Sequence, residues 1–266
     1  MEEGVEHVSK LLAPENDLQE FRPVQTVLND DSLMMPESEV RRYFCPLADA
    51  VSPLEYTFHL FGGVQGKTIV DLGCGQGLNT ILLARLGANV LSVDCSQKNL
   101  AAASRRAYAN GIRGNLTFLE SDRATIPVGD NKADHVLCSS LRQYSDPVAT
   151  ARHIRRVLRP GGTVVFNETV YTPFLLAFSD TLRPQDAVRP HRYLTPPLVN
   201  AISRAVGKAG RRRDFWITVR LLERLGVNSL SATAAISHRV DAILLRRFAA
   251  LRQLASQVVW EARKES

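Results

Sequence analysis

Three features of the sequence predict an α/β fold of Rossmann-like type: a mostly parallel sheet with helices on both faces. Val/Ile/Leu-rich runs alternate with helical segments from residue 66 to residue 168, as expected of parallel strands buried on both faces. The first such run, Thr68 to Leu72, empties into a glycine-rich turn that opens a helix, the arrangement that binds nucleosides at the carboxyl ends of strands. Composition allows it: 266 residues, 45% hydrophobic and 23% charged, suffice for one domain with additions.

Taken in order, residues 1–36 read as a polar, flexible arm without sustained periodicity. From Pro36, PESEVRRYFCPLADA reads as helix, and Ser52-Pro53 starts a second, LEYTFHLFG, closed by Gly62-Gly63. TIVDL is a strand, LNTILLARLG a helix, ANVLSVD a strand and QKNLAAASRRAYANG a helix ending on Asn110-Gly111. NLTFLES and ADHVLCSS are strands, PVATARHIRRVL a helix stopped by Arg159-Pro160-Gly161-Gly162, and GTVVFNE the fifth strand. Five prolines break the rhythm over 171–197, an irregular cap. A helix follows near 197–208, then a strand at DFWITVRLL, an amphipathic helix at ISHRVDAILLRRFAALRQLA and a last strand at QVVWEARK.

Several function classes fall away on composition. No apolar run of about 18 residues is present to span a membrane, and the first residues lack the pattern of a signal peptide, so the expected location is cytoplasmic. Cys45, Cys74, Cys95 and Cys138 show neither CxxC nor zinc-ligand spacing, so they read as reduced thiols and no metal is expected. Charge is divided: residues 1–150 carry 13 Lys and Arg against 19 Asp and Glu, residues 151–266 carry 20 against 8. A solvated basic face, an anionic small substrate and nucleic acid are the three readings, in falling order, because only Arg211-Arg212-Arg213 forms a run.

The chemistry concentrates in Asp71-Leu72-Gly73-Cys74-Gly75-Gln76-Gly77-Leu78-Asn79. Glycines let the chain turn sharply and approach a ligand closely. A second acid, Asp94, closes the next strand, where a carboxylate can accept both ribose hydroxyls. The loop lacks the G-x-G-x-x-G of a pyrophosphate site and no Gly-Lys-Ser/Thr follows it. An aspartate ahead of the glycines repels pyrophosphate and suits the ammonium and sulfonium of S-adenosylmethionine (SAM).

With these residues the segment 66–168 resembles the class I SAM-dependent methyltransferases. GKTIVDLGCGQGLNT is similar to the family's first motif, with Asp94 as its ribose acid. Ser121-Asp122-Arg123 matches the adenine position, with Asp122 accepting from the exocyclic amine or else capping its own turn. Ala133 to Ser139 resembles the fourth-strand motif beside the reactive methyl, and RVLRPGG the turn before strand five. The resemblance implies the Rossmann-like class I methyltransferase fold with a seven-stranded sheet, SAM as cofactor and S-adenosylhomocysteine as product. It assigns Asp71, Gly73, Cys74, Gly75, Gly77, Asn79, Asp94, Cys95, Asp122, Arg123 and Ser139 to the cofactor. A helical lid (37–65), a SAM-binding core (66–168), a substrate cap (169–210) and C-terminal strands and helix (211–266) complete the expected division. The flanks resemble bacterial small-molecule enzymes of specialised metabolism, some of which methylate O or N and a few of which C-methylate prenyl chains with cyclisation.

On the acceptor side, Arg142, Gln143 and Tyr144 follow strand four, where many relatives carry a His pair that this chain lacks. Glu168 ends strand five, to orient substrate, steady a developing cation or make a buried hydrogen bond. His191, beside Arg189 and Arg192, is the candidate general base. Tyr43, Phe44, Tyr56, Phe58, Tyr171, Phe174 and Phe178 either line an apolar acceptor pocket or pack the core. The expected partner is a small-molecule acceptor, with an anionic one left open, no membrane and no nucleic acid, in a monomer or homodimer. Nucleic-acid methylation is the first rival reading and a SAM-fold protein without methyl transfer the second; fold alone does not separate them.

Overall fold

The computed structural model describes residues 33–46, 48–50, 52–122, 124–139, 141–170, 194–216, 232–248, 251–252 and 255–266. Its centre is a seven-stranded sheet. Thr68–Leu72 (β1), Asn89–Asp94 (β2), Leu116–Glu120 (β3), Ala133–Cys138 (β4) and Leu158–Thr169 (β5) run parallel, while Lys208–Phe215 (β6) and Gln257–Arg263 (β7) pair antiparallel. The order is β3-β2-β1-β4-β5-β7-β6. The chain leaves β1 towards β2 on one side and returns to β4 on the other, so the end of β1 is the crevice where such sheets hold ligands.

Alternating side chains split the interior into two layers. Ile69, Leu137, Val165 and Val259 point to the face covered by Pro53–Phe61 (α2), Leu78–Arg85 (α3) and Gln97–Ala109 (α4). Val70, Leu72, Val136, Val164 and Phe166 point to the face covered by Pro147–Val157 (α5) and Pro196–Val206 (α6). On that second face Phe166 stacks on its register partner Trp260 at 4.6 Å. Two helix starts are capped: Ser96 accepts from the Asn99 amide, and Asp146 from those of Val148 and Ala149.

Four expectations about the flanks need correction. The first helix spans only Glu37–Arg41 (α1), because Pro46 forbids a helix running on to Ala50. The helix expected as a lid, α2, lies flat on the sheet, with Phe58 1% exposed in the same core cluster as Val165 and Val259. Residues 194–210, expected within the cap, belong to the sheet layers: Leu194 bridges Val170, and α6 buries Val199, Ile202 and Val206, with Arg155 Nη1 donating to the Val206 carbonyl at 2.7 Å. The strand expected at DFWITVRLL lies earlier, at 208–215, registered from Lys208↔Arg263 to Phe215↔Gln257, and Trp216 at φ 62° ends it. Its Lys and Arg residues suit an edge strand; residues 217–222 lie outside the described residues.

The expected flexible arm also has a fixed end. Asn110 accepts from the Met35 amide and donates to the Leu33 carbonyl, both at 2.9 Å, and Arg85 pairs with Glu37. Ala232–Arg247 (α7) supplies the late amphipathic helix and packs beside β6.

Candidate functional site

The glycine loop leaves β1 with Gly73, Gly75 and Gly77 at φ 74°, 54° and 84°, a region that side chains strain to enter. The amides of Gly73 and Cys74 donate to the Val93 carbonyl at 2.7 and 3.1 Å, clamping the loop to β2. The glycines then differ. A Cβ at Gly75 would meet nothing within 4 Å, so this side of the loop is open. A Cβ at Gly77 would lie 2.7 Å from Ala103 Cβ and 3.0 Å from its Cα. Gly77, expected to face the cofactor, therefore serves the close approach of α3 to α4. Gly77→Ala is expected to lower unfolding free energy by about 2–4 kcal/mol, from overpacking and a strained φ together; urea denaturation measures it, and an unchanged midpoint would contradict this role.

Asp94 closes β2 and is 7% exposed. Its Oδ2 accepts from the Gly75 amide at 2.9 Å, and its Oδ1 from the Ser96 amide at 2.9 Å and Asn99 Nδ2 at 3.2 Å. The carboxylate thus joins the loop to the start of α4. Each carboxylate oxygen has room for about two donors, so Oδ2 keeps a lone pair for a ribose hydroxyl. The N-cap of α4 is Ser96.

Asp71 lies beneath the loop and is fully buried. Its Oδ2 accepts from Thr80 Oγ1 at 2.6 Å, and Thr80 Oγ1 lies 2.9 Å from Ser92 Oγ. Its Oδ1 is buried with no hydrogen-bond partner among the described residues. Burial pushes the Asp71 carboxyl up to about 6; the Thr80 hydroxyl opposes the shift and the charge of Asp94 adds to it. Cys74 is buried beside them and burial likewise drives its thiol upward, so it lines the loop as an inert neutral group. A cationic ligand would relieve this pair of facing acids.

The remaining candidates divide. Asn79, in the first turn of α3, and Cys95 are half-buried at the crevice rim, as is Ser139 just past β4. Asp122 builds a local turn: its Oδ1 accepts from the amides of Ala124 and Thr125 at 2.8 and 2.9 Å, bonds that hold its carboxyl below the usual range. Glu168 is 1% exposed and accepts through Oε1 from the Leu141 amide at 2.6 Å. The expected catalytic residue thus fastens β5 to the short 3₁₀ turn Leu141–Gln143. That turn carries the Arg142 backbone and the exposed Gln143; Tyr144 follows, half-buried against the α5 layer. Tyr43, Tyr56 and Phe58 pack in the core, Tyr43 against Phe58 at 5.0 Å and Tyr56 against Phe215 at 5.8 Å, while Phe44 is 55% exposed. Tyr43, Tyr56 and Phe58 therefore take the core-packing alternative, and exposed Phe44 does not. Arg123, Tyr171, Phe174, Phe178, Arg189, His191 and Arg192 lie outside the described residues.

Thr80, Ser92 and Asn99 are the residues that sequence reasoning missed. Ser92 had a readable signal, a lone hydroxyl inside the apolar run Val90 to Val93.

The loop's open side at Gly75, the carboxylate of Asp94 at its rim and the buried acid beneath suit a cationic nucleoside. A family model described as a methyltransferase domain matches residues 70–166. Over these residues the chain is similar to SAM-dependent methyltransferases. The cofactor of this domain is SAM, and Asp71, Gly75 and Asp94 are the residues that could hold it. The chain is similar to a ubiquinone biosynthesis O-methyltransferase of Bordetella avium, 30% identical over 54% of this chain and 58% of that protein. Another from Hydrogenovibrio crunogenus is 27% identical over 68% of this chain and 81% of its own. The first of these matches thus spans little more than half of the relative. A SAM-dependent methyltransferase from Mesorhizobium loti shares the fold with a TM-score of 0.57 at 22% identity, over 81% of this chain and 98% of its own.

Proposed function

We propose that this methyltransferase transfers the methyl group of SAM to a small, largely apolar metabolite bearing a quinone- or phenol-type ring. The observation that carries the reading is Asp94, held at the end of β2 with Oδ2 2.9 Å from the Gly75 amide and a lone pair left for ribose. The ring acceptor is suggested by the names of the ubiquinone relatives. SAM, when bound, would supply an electrophilic methyl carbon: the acceptor oxygen, nitrogen or carbon would bond to it in line as the carbon–sulfur bond breaks and S-adenosylhomocysteine leaves. The chain's part is positioning and exclusion of water, which can supply most of such a rate. Asp94 and the glycine loop fix the nucleoside, and Glu168 fixes the turn after β4 by its bond to the Leu141 amide. A phenol must also lose its proton; His191 is the candidate for accepting it.

We further place the enzyme in the specialised metabolism of the cytoplasm. All four cysteines are thiols in the structure, as a reducing compartment requires, and no helix of the described residues is long and apolar enough to cross a membrane.

The test is incubation with SAM labelled in its methyl group and a panel of demethylated phenols and quinols. Label in the ring acceptor is expected. SAM bound but no label in any ring acceptor would overturn the assignment. A product carrying label and one ring more than its acceptor, seen by NMR, would favour C-methylation coupled to cyclisation of a prenyl chain. Glu168→Gln keeps an oxygen acceptor for the Leu141 amide, so its kcat is expected to stay within about tenfold of the parent. A loss of about 10²-fold or more would instead mark Glu168 as the acid or base.

A further inference from the structure

A second site lies far from the glycine loop, where edge strand β6 meets α7 and the chain entering α2. A recess of about 200 Å³ opens there, with Tyr56, Arg212, Arg213, Asp214, Leu245 and Arg252 among its walls. Four strand steps separate β6 from β1, about 19 Å at the usual interstrand spacing, so the recess is not part of the SAM crevice.

Arg212, Arg213 and Arg252 line this recess together with the single carboxylate of Asp214. Arg213 is pre-positioned: its Nη1 donates to the Ala48 carbonyl at 3.0 Å, and its guanidinium lies 5.3 Å from the Tyr56 ring and 5.0 Å from that of Phe215. Arg212 donates from Nη2 to Asp214 Oδ1 at 2.7 Å, and Asp214 is 7% exposed. A guanidinium carries five N–H donors, so this bond leaves Arg212 with donors to spare. Arg252 is exposed, and its Nε donates to the Leu245 carbonyl at 3.4 Å, which leaves its two Nη groups as further donors. Arg211, the first member of the run, is committed to Glu261 at 2.8 Å. Burial alone would raise the Glu261 carboxyl, but the bonds from Arg211 hold it below its ordinary value.

We propose that this recess binds a small oxyanion, a phosphate or carboxylate group, held by Arg212, Arg213 and Arg252. Planar guanidinium forks suit the two-point recognition of such groups. The volume is below the several hundred Å³ of a drug-sized pocket, which limits the ligand to a small anion or the anionic end of a longer molecule. Asp214 occupies Arg212 in the meantime and acts as the site's internal competitor.

The test is titration of the full chain with inorganic phosphate and, separately, succinate, by calorimetry at constant ionic strength, with and without S-adenosylhomocysteine. Saturable binding of at least one anion is expected, and the two arms tell phosphate from carboxylate recognition. Asp214→Asn keeps an acceptor for Arg212 but removes the competing charge, so it should tighten the anion by about tenfold. Arg252→Gln, an exposed change that leaves the fold intact, should weaken it by about tenfold. No saturable binding of either anion, or binding that both variants leave unchanged, overturns the proposal. Anion binding by a chain that fails to take S-adenosylhomocysteine would sink the methyltransferase reading and leave this site standing.

Discussion

Replacing Asp94 with Ala should raise the dissociation constant for SAM by at least about tenfold, since each charge-assisted bond from the carboxylate to a ribose hydroxyl is worth about 1.5–3 kcal/mol. The substitution also frees the Gly75 amide, the Ser96 amide and Asn99 Nδ2, which the carboxylate holds at 2.9, 2.9 and 3.2 Å. Asp94→Asn removes the charge but keeps one oxygen to accept from the Gly75 amide, while its NH2 cannot accept from the Ser96 amide and Asn99 Nδ2. Weak binding in both variants with near-parental melting of the Asn form locates the loss in the ribose contact. Unchanged affinity in a folded Asp94→Ala protein would remove Asp94 from the site.

The second large effect is the pH response of Asp71, whose carboxyl titrates at about 6 in the folded chain because it is buried. In the unfolded chain it titrates near the ordinary aspartate value of about 3.9. Between these values the folded protein keeps a proton that the unfolded chain has released. Its contribution is therefore full below about pH 4 and is lost as pH rises through about 6, a change of about 3 kcal/mol. Asp71→Asn does not titrate, so its unfolding free energy, followed by urea denaturation from pH 4 to 7, should lack this decline. An identical slope in both proteins would show that Asp71 is not the titrating group. SAM works in the opposite sense, because its cationic groups favour the ionised carboxylate. Affinity of the parent chain should therefore fall below about pH 6, by up to about tenfold per unit, while that of Asp71→Asn stays weaker and flat.

The core was legible because parallel strands buried on both faces are nearly continuous runs of Val, Ile and Leu. Thr68 to Leu72 and Asn89 to Asp94 therefore announce both themselves and the two acids that close the site. Edge strand β6 escaped for the opposite reason. Lys208-Ala209-Gly210-Arg211-Arg212-Arg213 has no apolar alternation, and only its register against Gln257–Arg263 makes it a strand. The placement of α2 was hidden too, since aromatics at helical spacing look alike whether they line a pocket or pack against Val165 and Val259. Gly77 shows a similar limit: its motif position says glycine, but only the 2.7 Å approach to Ala103 says why. The turn at Asp122 was within reach of sequence reasoning, since an aspartate before Ala124-Thr125 can cap its own loop. The Asp71–Thr80–Ser92 chain was half visible, through the isolated hydroxyl of Ser92 in an apolar strand.

The central claim is that the loop between Asp71 and Asp94 binds SAM, and calorimetric titration of the full chain with SAM and with S-adenosylhomocysteine tests it most directly. Micromolar binding of both, weakened in Asp94→Ala, is the predicted result. No heat and no saturation with either ligand, in a chain shown to be folded, would contradict it.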